Sequence, residues 1–380
     1  MIRRLSALLA LPLFAATPPA TFTQHTIASD LRGGYQVVAA DLNHDGRPDL
    51  IALASGMREL VWFENRLDNR LDNPGWQRHV LATGVNRMIN CVVVGNEIVL
   101  ASEFSNEARN SLGVVSVLRP GSDPIQPWTA TEIDRLPTSH RLRIAKIGGG
   151  RTIVVNAALT APDAFGPEYR GHTPLVYYVP GEWKRRIISD ENEGIVHGIF
   201  ITDWNRDGRD DILTASFTGI HLFTSGKADQ WTRTELAKGD PAPWPKSGSS
   251  DVTVGHLGKV RFLAAIEPWH GSQVVVYNGK TRSVIDTSLT DGHTIQSADF
   301  NHDGNDEIVA GFRGAPRSLY LYTSTGSQWT RSVLDEGNMG AAACTVIDLN
   351  QDGRPDIACI DSTRLKWYEN TVPPSLTGKR

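Results

Sequence analysis

The sequence has few cysteines, no block of basic residues and no apolar stretch long enough to cross a membrane. Three cysteines, Cys91, Cys344 and Cys359, are an odd number, which excludes a fold built on a disulfide framework. Each lies in an apolar run and is expected as a small buried side chain, although a Cys344–Cys359 bridge stays open. The formal net charge of −4, without a basic patch, argues against a nucleic-acid partner.

The longest apolar run lies at the amino terminus. Arg3 and Arg4 precede it, and small residues follow it, which is the pattern of a secretory signal peptide over residues 1–20. The run is shorter than the roughly 20 residues that a membrane span needs. We therefore expect a secreted or periplasmic protein with no membrane span, while the sequence leaves its oligomeric state open.

A phrase that begins with tryptophan and ends in isoleucine or leucine recurs about every 50 residues. Its clear copies are WQRHVL at 76, WTATEI at 128, WKRRII at 183, WTRTEL at 231 and WTRSVL at 329. Short apolar runs separated by loops follow each copy, without helical periodicity. The pattern predicts an all-β, seven-bladed β-propeller of four-stranded antiparallel blades over residues 21–372, followed by a tail at 373–380. Residues 23–27 are expected to complete the last blade beside 365–370 and so close the ring.

Four blades carry a loop in which oxygen-bearing side chains stand at positions 1, 3, 5 and 9 and glycine at position 6. These side chains are Asp41, Asn43, Asp45 and Asp49; Asp203, Asn205, Asp207 and Asp211; Asp299, Asn301, Asp303 and Glu307; and Asp348, Asn350, Asp352 and Asp356. Ca²⁺ prefers several oxygen ligands, which predicts calcium in at least one loop. The alternative is a tight turn whose Asp and Asn side chains only bind backbone amides. The loops resemble FG-GAP and VCBS repeats, a resemblance that implies a propeller but no particular function.

Histidines recur at one position, six residues before these loops. His140, His197 and His293 occupy it in three blades, where Tyr35, Ser249 and Ala342 occupy it in others. Rotation about the propeller axis relates equivalent positions, so the three imidazoles are expected to meet in one channel on the face opposite the loops. A single histidine is more often structural, but three at one repeat position favour a site. Imidazoles from several strands suit Zn²⁺ or another divalent metal such as Mg²⁺, and also suit proton transfer.

The turns between the second and third strands should lie on the same face as these histidines. They carry Glu267, His270 and Arg313, and blade 3 adds a long excursion at 159–172 that could wall the pocket. Arg141 follows His140 directly. The predicted functional set is therefore His140, His197, His270, His293, Glu267, Arg141 and Arg313, with the metal held by His140, His197 and His293.

Several strings together resemble the propeller domain of aldos-2-ulose dehydratase. They are SHRLR at 139–143, HGIFITDWNRDGRDDILTASFTGI at 197–220, GSSDVTVG at 248–255, IEPWHGSQVVVY at 266–277, DGHTIQSADFNHDGNDEIVAGFRG at 291–314 and DLNQDGRPDIACI at 348–360. The resemblance implies dehydration of a 2-keto sugar such as 1,5-anhydrofructose at a metal site in the channel. Fungal members also carry carboxy-terminal cupin domains for an isomerase step, which this chain is not expected to perform.

β-Elimination from a ketose needs an electrophile at the ketone oxygen, a base for the proton on the adjacent carbon and an acid for the leaving hydroxyl. The base is expected to be one of the histidines or Glu267, and Arg313 or Arg141 could stabilise the enolate. Two other functions stay open. One is a non-catalytic FG-GAP module that binds glycans or proteins, and the other is a polysaccharide lyase on the same scaffold.

Overall fold

The computed structural model describes residues 19–66, 75–226, 230–326 and 328–371. Most of the predicted signal peptide and the predicted carboxy-terminal tail lie outside these residues. Within them no helix is long and apolar enough to cross a membrane.

The described chain folds into 28 β-strands and two short 3-10 turns at Ala108–Asn110 and Gly148–Gly150. The strands are β1 (Phe22–Ala28), β2 (Gly34–Ala40), β3 (Asp49–Ala54), β4 (Glu59–Asn65), β5 (Trp76–Thr83), β6 (Asn90–Val94), β7 (Glu97–Ser102), β8 (Val114–Arg119), β9 (Thr129–Arg135), β10 (Ser139–Ile147), β11 (Arg151–Ala158), β12 (His172–Tyr178), β13 (Arg186–Glu193), β14 (Val196–Thr202), β15 (Asp211–Ser216), β16 (Gly219–Ser225), β17 (Trp231–Ala237), β18 (Asp251–Leu257), β19 (Val260–Glu267), β20 (Gln273–Asn278), β21 (Thr281–Asp286), β22 (Gly292–Ala298), β23 (Glu307–Phe312), β24 (Leu319–Thr325), β25 (Gln328–Asp335), β26 (Ala343–Ile347), β27 (Asp356–Ile360) and β28 (Leu365–Asn370).

These strands form seven antiparallel sheets of four strands each, which confirms the predicted seven-bladed propeller. Blades 1 to 6 take four consecutive strands each, from β2 to β25, and blade 7 takes β26 to β28. The fourth strand of blade 7 is β1, whose Phe22 pairs with Asn370, so the first and last strands close the ring as expected. Closure leaves no long unpaired sheet edge.

The hydrophobic core lies between neighbouring blades. The second and third strands are buried on both faces, as in β3, where every residue is buried. The fourth strands are polar and largely exposed, as in β25. The inner strands therefore hold their positions by packing against two neighbouring blades, and their ends at the axis are fixed in space.

The two cysteines of blade 7 stand opposite each other on β26 and β27. Cys344 pairs with Cys359 in the strand register, and a disulfide joins them. The sequence left this bridge open and favoured free, buried thiols. That expectation holds only for Cys91, which is buried and free.

Thiol counting checks the disulfide. Unfolded protein should expose one reactive thiol before reduction and three after it, because only Cys91 is free in the folded chain. The measurement is titration with a thiol reagent in denaturant. Two or three thiols without reductant would show that the bridge does not form.

Candidate functional site

A β-bulge brings each recurrent side chain to the axis. The inner strands of blades 1, 3, 4 and 6 each skip one residue in their pairing with the next strand. The skipped residues are Tyr35, His140, His197 and His293. A bulge re-aims a side chain and often lies beside a functional site. Four side chains from four blades therefore leave the regular strand alternation at the same level of the propeller.

The rings of the histidines form one compact cluster. The ring centre of His197 lies 5.1 Å from that of His140, 4.8 Å from that of His293 and 5.0 Å from that of His270. His140, His197 and His293 are each only 1% exposed. The geometry thus brings together the three repeat-related histidines and His270 from the turn after β19.

Three of these histidines form a candidate metal centre. One ligand atom from each of His197, His270 and His293 lies within 4.8 Å of the other two, and no other group of His, Cys, Asp or Glu in the described residues meets this condition. The predicted metal set had His140 in place of His270. His270, which the sequence analysis placed in the functional set but not among the metal ligands, reaches the axis from a turn rather than from the repeat position.

Hydrogen bonds fix the orientation of two of the rings. Nδ1 of His197 lies 3.1 Å from the carbonyl oxygen of Ser250, and Nδ1 of His293 lies 2.5 Å from that of Ala342. A carbonyl can only accept, so Nδ1 carries the proton in both rings and Nε2 keeps its lone pair. Nε2 of His197 is buried without a hydrogen-bond partner. This arrangement is typical of metal-binding histidines, whose second nitrogen is held by an acceptor.

A carboxylate orients the third ring. Nδ1 of His270 lies 3.0 Å from Asp291, which also binds Arg313 through two contacts of 3.0 Å. Arg313 lies 3.1 Å from the same nitrogen. Nδ1 cannot donate and accept at once, and a proton on it removes the repulsion between its lone pair and the carboxylate. His270 therefore donates to Asp291 and also keeps its Nε2 lone pair.

His140 has a different partner. Its Nε2 lies 2.8 Å from the hydroxyl of Tyr35, whose oxygen is also 3.4 Å from Nε2 of His293. Nδ1 of His140 is buried without a partner. His140 and Tyr35 are thus a hydrogen-bonded pair beside the group of three histidines.

The protonation states follow from burial and charge. Burial lowers the pKa of His140, His197 and His293 well below the ordinary value, and the positive charge of Arg141 or Arg313 lowers each further. These rings are therefore neutral near pH 7, as metal ligation requires. Burial would raise the pKa of Asp291, but the bonds from His270 and Arg313 outweigh it and lower that pKa to about 2.

Glu267 lies in a separate network. Its carboxylate is fully buried and accepts hydrogen bonds from Ser249 at 3.0 Å, Tyr277 at 2.5 Å and Arg282 at 2.9 Å. Burial raises its pKa, although the bonds from Tyr277 and Arg282 oppose the rise. The structure thus ties the predicted base Glu267 to the framework of blade 5 rather than to the histidine cluster. Two residues of the cluster, Tyr35 and Asp291, were not among the predicted site residues.

Aromatic side chains wall the cluster on two sides. The ring of Trp269 lies 4.5 Å from that of His270, and the ring of Phe104 lies 5.5 Å from that of His140. The long excursion at 159–172 packs behind Trp269 through Tyr169, whose ring lies 5.7 Å away. The excursion therefore packs against the aromatic side of the histidine cluster, and its role as a wall of a ligand pocket stays a prediction.

The four acidic loops share one hydrogen-bond pattern. In the blade 6 loop, Asp299 accepts the amides of Asp303 and Gly304, Asn301 accepts that of Asp303, and the buried Glu307 accepts that of Phe300. In the other three loops an arginine also pairs with the position-5 aspartate, as Arg47 does with Asp45. Most of the carboxylate oxygens thus bind backbone amides, so the geometry satisfies the turn interpretation and leaves calcium binding a prediction.

The fold and these contacts define a class of protein, a seven-bladed propeller with a buried histidine cluster at one end of its axis. Residues 113–280 match the family of the aldos-2-ulose dehydratase β-propeller domain, and residues 299–359 match the FG-GAP-like repeat. The first match covers less than half of the chain and includes His140, His197 and His270. No curated protein matches the sequence.

Solved structures support the fold. A chain in the crystal structure of BBS1N in complex with ARL6DN, soaked with mercury, superposes with a TM-score of 0.53 at 12% identity. The match covers 94% of this chain and 98% of that chain. At this identity the likeness shows the propeller fold alone.

Proposed function

We propose that this protein is a secreted lyase that dehydrates a 2-keto sugar at the histidine cluster. One observation carries the proposal: His197, His270 and His293 bring ligand nitrogens within 4.8 Å of one another, while hydrogen-bond acceptors lie beside their Nδ1 atoms. Nε2 of His197 is buried without a hydrogen-bond partner in the described residues, so its lone pair is available to a ligand. The family match over residues 113–280 supports the same class of reaction.

The three histidines fit a divalent metal such as Zn²⁺. Two nitrogens bound to one zinc ion stand at most about 4.2 Å apart, given bonds of about 2.1 Å. In tetrahedral geometry the same bonds place the two nitrogens about 3.4 Å apart. The ligand atoms here lie within 4.8 Å of one another, so binding would draw the three rings together by about 1 Å. When bound, such a metal would polarise the ketone and so acidify the adjacent carbon.

Tyr35 and His140 supply the proton transfer in this proposal. As the Tyr35 oxygen takes the proton from the carbon next to the ketone, its own proton moves to Nε2 of His140, 2.8 Å away. The electron pair of the broken C–H bond forms an enolate, which then makes the carbon–carbon double bond and breaks the C–O bond at the next carbon. The leaving hydroxyl accepts a proton from Tyr35 and departs as water, and Tyr35 recovers its proton from Nε2 of His140, so the protein returns to its starting state.

The direct test is turnover of 2-keto sugars such as 1,5-anhydrofructose. Purified protein should convert one of them into an unsaturated ketone, detected by its ultraviolet absorbance, and should contain about one transition-metal ion per chain by mass spectrometry. Calcium as the sole bound metal, together with no turnover, would instead favour the glycan- or protein-binding module.

We further propose calcium binding at the blade 6 loop. This loop has Asn305 where the other three have an arginine, and among the described residues no cation forms an ion pair with Asp303. Calcium should raise the melting temperature and EDTA should lower it, because a ligand bound only by the folded state stabilises by about 2.7 kcal/mol at 100 times its Kd.

Two matched variants locate the calcium effect. Asp303→Ala should remove more of the calcium-induced rise in melting temperature than Asp207→Ala, because Asp207 is paired with Arg209. The comparison uses the rise and not the melting temperature itself, since either substitution removes hydrogen bonds within its loop. No change with EDTA or added calcium would show that the loops are only turns.

A further inference from the structure

Arg141 is a buried cation that forms no direct ion pair in the described residues. It is 4% exposed, and its Nη1 is buried without a hydrogen-bond partner. In the part of the chain that the structure describes, no carboxylate forms an ion pair with it. A buried charge costs several kcal/mol unless it is paired, so this arrangement calls for a compensating group.

The neighbouring arginines show the contrast. Arg313 binds Asp291 through two contacts, and Arg282 binds the buried Glu267 at 2.8 Å. Each of these cations has its anion within the protein. Arg141 instead lies 5.4 Å from the ring centre of Tyr35, a cation–π contact that offsets only part of a buried charge.

The positive charge extends along the axis. Arg143, two residues further along β10, lines a cavity of about 350 Å³ to which every blade contributes. Asp251 lines the same cavity, but its carboxylate accepts the amides of Val252 and Ile295 rather than an arginine. Burial raises the pKa of Asp251 to about 6, although both arginines oppose the rise. One carboxylate thus faces two cations, which leaves a net positive charge beside the neutral histidines.

We propose that Arg141 binds an oxyanion group of the ligand, so the channel accepts a small carboxylate such as a sugar acid. Arg141 lies beside the cluster, since its guanidinium carbon is 5.4 Å from the ring centre of Tyr35, whose hydroxyl contacts His140 and His293. A carboxylate there forms a charge-assisted bond with the free guanidinium nitrogen and removes the uncompensated charge. This site does not depend on the proposed dehydration, because a non-catalytic binding module would use it equally.

The test compares Arg141→Gln with Arg282→Gln by thermal unfolding and calorimetric titration, at constant ionic strength set with sodium chloride. Glucuronate should bind the wild-type protein saturably and raise its melting temperature. Arg141→Gln should melt no lower than wild type without ligand, because it removes an unpaired buried charge, and should weaken glucuronate binding by about tenfold or more. Arg282→Gln should melt lower and still bind glucuronate.

Two further arms make the result decisive. Arg141→Lys keeps the charge but loses the fork of donors, so it should bind glucuronate more weakly than wild type even if the glutamine variant does not fold. Inorganic phosphate separates the sources of the oxyanion: binding of glucuronate alone indicates a sugar acid, and binding of both indicates any small oxyanion. The proposal fails if wild type binds neither, if Arg141→Gln binds glucuronate as tightly as wild type, or if it loses as much stability as Arg282→Gln.

Discussion

His197→Ala should abolish dehydration of a 2-keto sugar and remove the bound transition metal while the propeller stays folded. His197 is the central ring of the cluster, with three imidazole neighbours about 5 Å away. Loss of one of three protein ligands should lower kcat/KM by more than about 100-fold. The melting temperature should fall by no more than about 4 °C, because the ring packs against polar imidazoles at the axis.

His221→Ala is the matched control. His221 is another buried histidine of blade 4, only 2% exposed, but it lies on β16 away from the axis. This variant should retain metal and turnover, as measured by metal content and steady-state rates. If His197→Ala unfolds the protein while His221→Ala does not, the histidine cluster has a structural role and the proposed site is wrong.

The sequence predicted the architecture because its repeat is regular. The repeated motifs that begin with tryptophan mark the fourth strands. Counting back six residues from each acidic loop identifies one equivalent residue in each inner strand. That counting placed His140, His197 and His293 at one level, and the structure brings their rings together. It could not show the β-bulges that turn these side chains towards the axis, because a bulge depends on pairing with a second strand.

Residues outside the repeat were harder to place. His270 and Asp291 have φ angles of 50° and 56°, a left-handed conformation that is uncommon for residues other than glycine. Such backbone positions persist only when surrounding contacts determine them, so sequence pattern alone does not predict them. Glu267 shows the opposite error. Its distinctive motif led to its prediction as a possible base. In the structure its carboxylate instead accepts hydrogen bonds from Ser249, Tyr277 and Arg282.

Tyr35 was noted at the repeat position, but its role could not be inferred from a single tyrosine. Its importance depends on two contacts from different blades, with His140 and with His293. Residue 35 also lies outside the segment that matches the dehydratase family. The role of Tyr35 is therefore inferred from geometry alone. That geometry distinguishes the proposed proton-transfer pair, Tyr35 and His140, from the three candidate metal-binding histidines.

Tyr35→Phe should lower kcat by about 10²- to 10⁴-fold, the usual contribution of a positioned acid or base. The phenyl ring preserves the shape of the side chain, so KM and the content of transition metal should change little. His140→Gln should have a similar effect, and the double variant should be hardly worse than either single one, because the two side chains act as a unit. Steady-state kinetics and metal analysis of the three proteins provide the measurement.

Tyr320→Phe serves as the control, because Tyr320 is a buried tyrosine on β24 of blade 6, outside the cluster. It should leave kcat unchanged. Exchange of the proton next to the ketone, followed in deuterated water by nuclear magnetic resonance, gives a second readout that does not require elimination. Tyr35→Phe should slow this exchange together with kcat, since both begin with the same C–H cleavage. If exchange stays at the wild-type rate while elimination stops, Tyr35 acts only on the leaving hydroxyl, and another group removes the proton from carbon.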